Sequence, residues 1–202
     1  MTTGESVQAE GTDDLRTRLL NTSRALLTER GPAALSMREV ARRTGCTHQA
    51  PYHYFPNREA ILAAVVAEGF SELADALEYA NTQVSSLGAH SAAIASANAY
   101  VTFAIRNPGV FQVMFRNDMI DHSHYPDVQR HGDRARTALR DLVRLIDSDH
   151  ADHEQETVLW SHVHGLASLL TSGLLGTEMP SESARIAYAE RINTRCIDIL
   201  LR

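Results

Sequence analysis

Lysine is absent from this chain, and all 19 of its basic residues are arginine. We interpret that absence as a bias of genome composition rather than a requirement of chemistry. No apolar run approaches the roughly 18 residues that a membrane-spanning helix needs. The first ten residues also lack the basic and apolar regions of a secretory signal. These absences predict a cytoplasmic protein that does not enter a membrane.

Cysteine is scarce, and Cys46 and Cys196 match no metal or redox spacing, so we expect two free thiols in a reducing compartment. The ten histidines include three close pairs: His122 and His124, His150 and His153, and His162 and His164. The last pair is expected on different helix faces, and no cysteine or carboxylate pattern completes a metal's ligand set. We therefore predict neither a metal nor a cofactor.

Enzyme motifs are missing as well. The sequence has no Gly-x-Ser-x-Gly, no His-Glu-x-x-His and no glycine-rich phosphate loop. A small helical hydrolase remains an alternative without a motif to support it. The sequence favours a protein that is not an enzyme.

Strand-like alternation is also absent, whereas proline and glycine fall between segments of helical periodicity. We predict an all-α fold of about nine helices, with a three-helix helix-turn-helix head and a helical body. Residues 1–12 are predicted as a disordered leader and 13–58 as the head. A linking fourth helix reaches about residue 80, and 81–202 form the body.

The predicted head has clear local signals. The first helix runs from about Asp13 to Arg30 and stops at Gly31-Pro32. In the second helix, Ser36 can cap the N–H of Glu39, and the Glu39 side chain can reach back, as in a capping box flanked by the apolar residues Leu35 and Val40.

A short third helix follows the second after a tight turn. Gly45 supplies that turn because it tolerates positive φ. The third helix is predicted from Thr47, as the N-cap, to about Tyr54. Pro51 would remove one hydrogen bond near its first turn, a conflict that disappears if the cap lies one or two residues later.

Charge is unevenly distributed along the chain, whose overall net charge is −6. Residues 16–58 carry a net +6, whereas residues 59–202 carry a net −8. A basic block on an acidic body fits a protein that touches DNA at one end. A merely solvated basic face is the alternative.

Residues 35–62, LSMREVARRTGCTHQAPYHYFPNREAIL, closely resemble the DNA-binding signature of the TetR family. The positions that carry the resemblance are Ala41, Gly45, Tyr52, Phe55, Arg58, Glu59 and Ile61 or Leu62. The resemblance covers about residues 13–70. It implies a homodimeric transcriptional repressor that binds a pseudo-palindromic operator in double-stranded DNA and is released by a small molecule.

Candidate DNA contacts follow from the resemblance and from helix geometry. Ser36 and Thr47 can bond phosphate as well as cap their helices, and Arg38 joins them. His48, Gln49 and Ala50 are candidates for base edges, and Tyr52 and His53 for the DNA backbone. Arg58 stands at a helix start, where the macrodipole disfavours a cation. A phosphate partner would explain it, and a solvated arginine is the alternative.

Residues 159–170, LWSHVHGLASLL, resemble the Trp-His-Gly type of C-terminal domain found in a subset of the family, at Trp160, His164 and Gly165. Trp160 and His164 share a helix face and could form a pocket wall or simply pack. Candidate pocket residues, which could equally be core, are Tyr100, Phe103, Phe111, Met114, Phe115, Met119, Trp160 and His164.

The last two helices are expected, from the family, to pair with their symmetry mates in the dimer. The candidate interface residues are Leu166, Leu169, Leu170, Gly173, Ile192, Cys196 and Ile199. The sequence therefore predicts a ligand-responsive DNA-binding repressor. A DNA-binding protein without a ligand is the alternative.

Overall fold

The computed structural model describes residues 5–84, 88–146, 152–175 and 179–201, and their regular structure is helical throughout. The described residues form eight α-helices: α1 (Glu5–Arg30), α2 (Met37–Thr44), α3 (Arg58–Val84), α4 (Ala89–Arg106), α5 (Pro108–Met114), α6 (Pro126–Ile146), α7 (His153–Thr171) and α8 (Glu182–Leu200). The all-α prediction is confirmed. The third predicted helix is instead a 3₁₀ turn at Ala50–His53. Within the described residues, no helix is both long and apolar enough to cross a membrane.

The first helix begins at Glu5, eight residues before its predicted start. Residues 5–12, predicted as part of a disordered leader, are its first two turns. Alanine, glutamate and glutamine are good helix formers, and this stretch holds no proline that would stop a helix from running into Asp13. Residues 1–4 of the predicted leader lie outside the described residues.

The chain divides into two compact units, and the boundary differs from the predicted one. The first unit joins residues 1–68 with residues 109–128, and the second joins 69–108 with 129–202. The predicted body, which took everything after residue 80, therefore loses the segment 109–128 to the head. The boundaries fall inside α3 and α6, so both helices contribute to both units.

The first unit is held together by leucines of α1 and aliphatic residues of α2 and α3. Leu19, Leu26 and Val40 are completely buried. Gly109 in α5 meets the backbone of α1 so closely that an added Cβ would lie 2.4 Å from the carbonyl carbon of Leu27 and from the nitrogen of Thr28. Only glycine permits this approach, which is the physical reason that α5 belongs with the head.

In the second unit, α4 packs against α7 and α8. A core cluster joins Ala92, Ala93, Leu142 and Ile197. The alanines of α4 allow this close helix packing because their side chains are short. The buried residues of α8 are Ala189, Asn193 and Ile197.

A chain of polar contacts crosses the same packing. The buried side chain of Asn193 accepts a hydrogen bond from Nε2 of His162 at 2.9 Å. Its amide nitrogen donates to Oδ1 of Asn98 at 2.8 Å. These bonds satisfy an amide that has no access to water, which explains how a polar residue occupies the core.

Candidate nucleic-acid interface

The start of α2 has the predicted cap. Ser36 has extended backbone angles, and its Oγ accepts a hydrogen bond from the N–H of Glu39 at 3.2 Å. Leu35 and Val40, the predicted apolar pair, are both buried. The capping half of the prediction is therefore confirmed by the geometry.

The reciprocal half of the capping box is wrong. The Glu39 carboxylate does not reach back to Ser36, because it accepts hydrogen bonds from Arg42 at 2.7 and 2.8 Å and from Arg43 at 3.1 Å. The hydrogen bonds from Arg42, the largest cause, lower the pKa of Glu39 to about 2. Two arginines one turn away outcompete a backbone N–H because a charge-assisted hydrogen bond is stronger than a neutral one.

The turn after α2 is tied to α1. Gly45 adopts the left-handed conformation with φ of 73°, as the sequence predicts. The carbonyl of Thr44 accepts a hydrogen bond from Arg18 at 2.7 Å. The Thr44 hydroxyl donates to the hydroxyl of Thr22 at 3.0 Å. This contact of Arg18 could not be predicted from the sequence, because no local spacing links Arg18 to a carbonyl 26 residues away.

The recognition segment, residues 47–54, is not an α-helix. Its 3₁₀ turn has i to i+3 bonds, from the N–H of Tyr52 to the carbonyl of Gln49 and from that of Tyr54 to Pro51, both at 3.1 Å. Gln49, not Thr47, is the N-cap residue, and it has no side-chain capping bond. Pro51 has no N–H to continue an α-helical ladder, so the tighter turn replaces it.

The recognition segment is exposed on one edge and anchored on the other. Pro51 and Phe55 are buried, and the guanidinium of Arg16 lies 5.6 Å from the centre of the Phe55 ring. Ala50 is half-buried. The other predicted contact residues of this segment are exposed: Thr47, His48, Gln49, Tyr52 and His53. The structure therefore brings them together on one accessible surface.

At the start of α2, Ser36 and Arg38 are also exposed. Arg58 differs, because it is partly buried and donates from Nε to the carbonyl of Leu35 and from Nη2 to that of Pro32, both at 2.7 Å. A fully solvated side chain, one of the two predicted roles, does not describe this position. The two carbonyls account for a cation at this helix start, so a phosphate is not needed to explain it.

In the second unit, three predicted pocket residues form a hydrogen-bonded triad. The indole N–H of Trp160 donates to the hydroxyl of Tyr100 at 3.3 Å, and that hydroxyl lies 2.9 Å from Nδ1 of His164. Because an indole only donates, the Tyr100 oxygen accepts there. The same hydroxyl can donate to Nδ1 of a His164 ring whose proton is on Nε2, or accept from Nδ1–H of the other tautomer.

Burial determines the protonation of this triad. It lowers the pKa of His164, and it raises the pKa of Tyr100 against an opposing effect of the hydrogen bond from Trp160. Trp160 remains 40% exposed, although Tyr100 and Phe103 are buried. The triad thus joins a buried hydroxyl to a half-buried imidazole and an exposed indole. His162 points away from it, towards Asn193, as predicted for the two different helix faces.

The other four pocket candidates belong to the first unit. Phe111 and Met114 are buried, and Phe111 packs edge-on against Phe115 at 5.5 Å between ring centres. Met119 is half-buried. These four candidates therefore belong to the first unit, whereas Tyr100, Phe103, Trp160 and His164 belong to the second.

The candidate dimer residues also separate into two kinds. Leu166 and Leu170 are buried within the chain and have little surface left for a partner, so we remove them. Leu169 and Ile199 are 45% and 62% exposed, and Ile192 and Cys196 are half-buried. Gly173 is exposed beyond the end of α7, with φ of 81°.

Metal-ligand geometry is not found in the described part of the chain, where no three histidine, cysteine or carboxylate side chains are placed to hold an ion. His150 of the predicted pairs lies outside the described residues.

Two family models match the chain. Residues 19–65 match the bacterial regulatory proteins of the tetR family, and residues 93–191 match the tetracyclin repressor-like C-terminal domain. The second match includes Trp160, His164 and Gly165. Together the two matches cover α2, parts of α1 and α3, and most of the second unit.

Individual proteins give the same picture. The HTH-type transcriptional regulator Rv1816 of Mycobacterium tuberculosis is 25% identical over 57% of this chain and 49% of its own length. The match therefore spans about half of that curated relative. A solved protein of unknown function from Rhodococcus sp. RHA1 is 28% identical, with a TM-score of 0.69 over 90% of this chain and 94% of its own.

A tetR-family bacterial regulatory protein from Rhodococcus RHA1 has a TM-score of 0.72 over 91% of this chain and 96% of its own. At 15% identity, that likeness concerns the fold alone.

Proposed function

The chain belongs to the TetR family of bacterial regulatory proteins, and we propose that it is a transcriptional repressor that binds DNA as a homodimer and is released by a small molecule. The observation that carries the proposal is the recognition segment, whose polar edge is exposed while Pro51 and Phe55 anchor its other side. Its target, a chromosomal operator, places its action in the bacterial cytoplasm.

The two ends of this surface have different roles. Ser36 and Arg38, at the first turn of α2, hold phosphates, since helix N-termini and arginine both favour anions. His48, Gln49 and Ala50 face the base edges, where glutamine can pair with adenine and alanine can touch a thymine methyl. Tyr52 and His53 hold the backbone beyond them.

Dimerisation supplies the second half-site. An apolar strip on α7 and α8 supports it: Val158, Leu169 and Ile199 are 49%, 45% and 62% exposed. Gly165 is exposed, with no atom within 4 Å of an added Cβ, so a partner helix can approach there. A two-fold dimer must hold its recognition segments about 34 Å apart to enter successive major grooves.

Ligand control is proposed to act through the Trp160–Tyr100–His164 triad. A ligand with a donor or acceptor group would compete for the Tyr100 hydroxyl, whose present partners are about 3 Å away. A ligand that binds better to a dimer conformation with splayed heads lowers the population of the conformation that can bind DNA.

Tyr52 provides the test of the DNA surface. Binding is measured by gel shift on a duplex selected from a random library by the wild-type protein. Tyr52→Ala should weaken it by about tenfold or more, since each protomer loses a contact. Tyr79→Ala is the matched control, because Tyr79 is also exposed but lies in the second unit. Equal affinity of wild type and Tyr52→Ala would remove Tyr52 from the interface.

The only tryptophan of the sequence is Trp160, so its fluorescence reports on the triad directly. A metabolite panel is screened for a change in this signal and then for release of the selected duplex. A compound that does both, and that fails with His164→Phe, supports ligand control. A protein that binds the duplex but responds to no compound favours the ligand-independent alternative.

A further inference from the structure

We propose that Arg58 is a positioning residue for DNA binding, which fixes the first turn of α2 without touching DNA itself. Its guanidinium donates two hydrogen bonds of 2.7 Å to backbone carbonyls, those of Pro32 and Leu35. Both carbonyls belong to the short connection between α1 and α2. Arg58 itself is the first residue of α3. One side chain therefore joins the start of α3 to the segment that leads into α2.

The chemistry of the two bonds requires arginine. Its planar fork presents two N–H groups at a fixed spacing, whereas a lysine ammonium is a compact charge on a flexible stem. The two carbonyl dipoles also explain how a cation is tolerated at a helix N-terminus, where the macrodipole opposes it. Arg58 is partly buried, so its bonds are less exposed to water than those of a surface side chain.

The position of the bonds connects them to function. Leu35 directly precedes Ser36, the N-cap of α2, and it is buried. Arg38 lies in the following turn. A carbonyl fixed at Leu35 therefore fixes the direction in which α2 begins, and with it the two residues proposed to hold phosphate. Without the fork, this turn is free to move against α3, and binding to DNA must first restore its position.

The test compares Arg58→Lys with Arg58→Gln on the duplex selected by the wild-type protein, over a range of salt concentrations. Each variant is measured well below its own unfolding midpoint. We expect both to bind about tenfold more weakly, an ordinary size for coupling between sites, with the salt dependence of wild type. Both variants lose the pair of hydrogen bonds from Arg58 to the carbonyls of Pro32 and Leu35, which we call the clamp, although lysine keeps the charge. Arg38→Gln and Arg136→Gln serve as controls for a proposed phosphate contact and for an exposed arginine of the second unit.

A direct phosphate contact gives a different result. Arg58→Lys would then bind almost as wild type, and Arg58→Gln would reduce the slope of log affinity against log salt by about 2 per dimer. That result overturns the proposal, as does wild-type affinity in both variants. The inference rests on the proposed DNA binding. If the wild-type protein selects no duplex, the proposed function fails, and the effect of Arg58 on DNA binding fails with it. The two bonds from Arg58 that fix the first turn of α2 are then tested by hydrogen exchange alone.

Hydrogen exchange tests the clamp independently of DNA. The N–H of Glu39 is bonded to Ser36 Oγ at 3.2 Å, and that of Val40 to the Ser36 carbonyl at 2.9 Å. Arg58→Lys should speed exchange at both. The capped N–H of Ala184, bonded to Ser181 Oγ at 3.1 Å in the second unit, should keep its rate. Unchanged exchange at Glu39 and Val40 would refute the clamp even if Arg58→Gln failed to fold.

Discussion

The contact between α5 and α1 allows one prediction to be worked out in detail. In Gly109→Ala the new Cβ would lie 2.4 Å from two backbone atoms, the carbonyl carbon of Leu27 and the nitrogen of Thr28, and 2.7 Å from the Leu27 oxygen. Ordinary contacts begin at 3.4 Å. The two helices must therefore separate by about 1 Å, because a helix backbone cannot rotate aside as a side chain does.

The energetic cost follows from that separation. Overpacking of this kind costs about 1–3 kcal/mol, against a gain of about 0.4–1 kcal/mol from the stiffer unfolded chain. Loosened packing around the buried residues Phe111 and Met114 adds to the loss. We expect Gly109→Ala to lower the free energy of unfolding by about 2 kcal/mol, which corresponds to a fall in Tm of about 4–8 °C for a chain of this size.

The assay uses two probes because the chain has two units. Circular dichroism follows all helices, whereas Trp160 fluorescence follows the second unit, to which Trp160 belongs. Gly132→Ala is the control: no atom lies within 4 Å of its added Cβ, so it should gain about 0.5–1 kcal/mol from better helix propensity. All proteins are compared at one concentration, since association changes Tm. A Gly109→Ala protein as stable as wild type, or as stabilised as Gly132→Ala, would refute the close-contact argument.

Two further predictions concern pH. The pKa of Glu39 is about 2, below its ordinary 4.5, so its ion pairs stabilise the fold above pH 4.5 and lose that effect as pH falls towards 2. Denaturant unfolding should therefore show Glu39→Gln less stable than wild type at pH 7, with the difference closing between pH 4.5 and pH 2. A difference that stays constant with pH would contradict the assignment. Burial lowers the pKa of His164 below its ordinary 6.5, so protonation favours the unfolded state and wild type should lose stability as pH falls below 6.5. His164→Gln should lack this loss of stability, so its Tm should change less with pH than that of wild type when thermal melts are compared at matched pH values. Equal changes of Tm with pH in the two proteins would argue against a neutral imidazole at His164.

Local signals predicted most of the fold. Ser36 and Gly45 act through atoms within a few residues of their own position, so a cap and a left-handed turn could be predicted from spacing. The end of α1 likewise falls at Arg30, as predicted, because the Gly31-Pro32 pair marks the stop in the sequence.

Competition and distance explain what could not be predicted. Glu39 had two possible partners, and the arginines one turn further on displaced the backbone N–H. Arg58 finds its carbonyls 23 and 26 residues away, a separation at which spacing carries no information. In α8, Asn193 is buried, although periodicity counts asparagine as a surface residue. Its burial depends on His162 and Asn98, which come from two other helices.

The 3₁₀ conformation of the recognition segment has a consequence for attempts to alter the DNA sequence that the proposed interface would bind. A 3₁₀ turn rises about 2.0 Å per residue and aligns residues that are three apart, so Ala50 and His53 lie along one edge. In an α-helix, the same two residues would be separated by about 60° around the helix axis. Exchanging only base-facing side chains with a relative whose reading element is α-helical would present them at the wrong pitch. Residues 47–54 have to be transplanted as one block, Pro51 included, for the donor's sequence preference to follow.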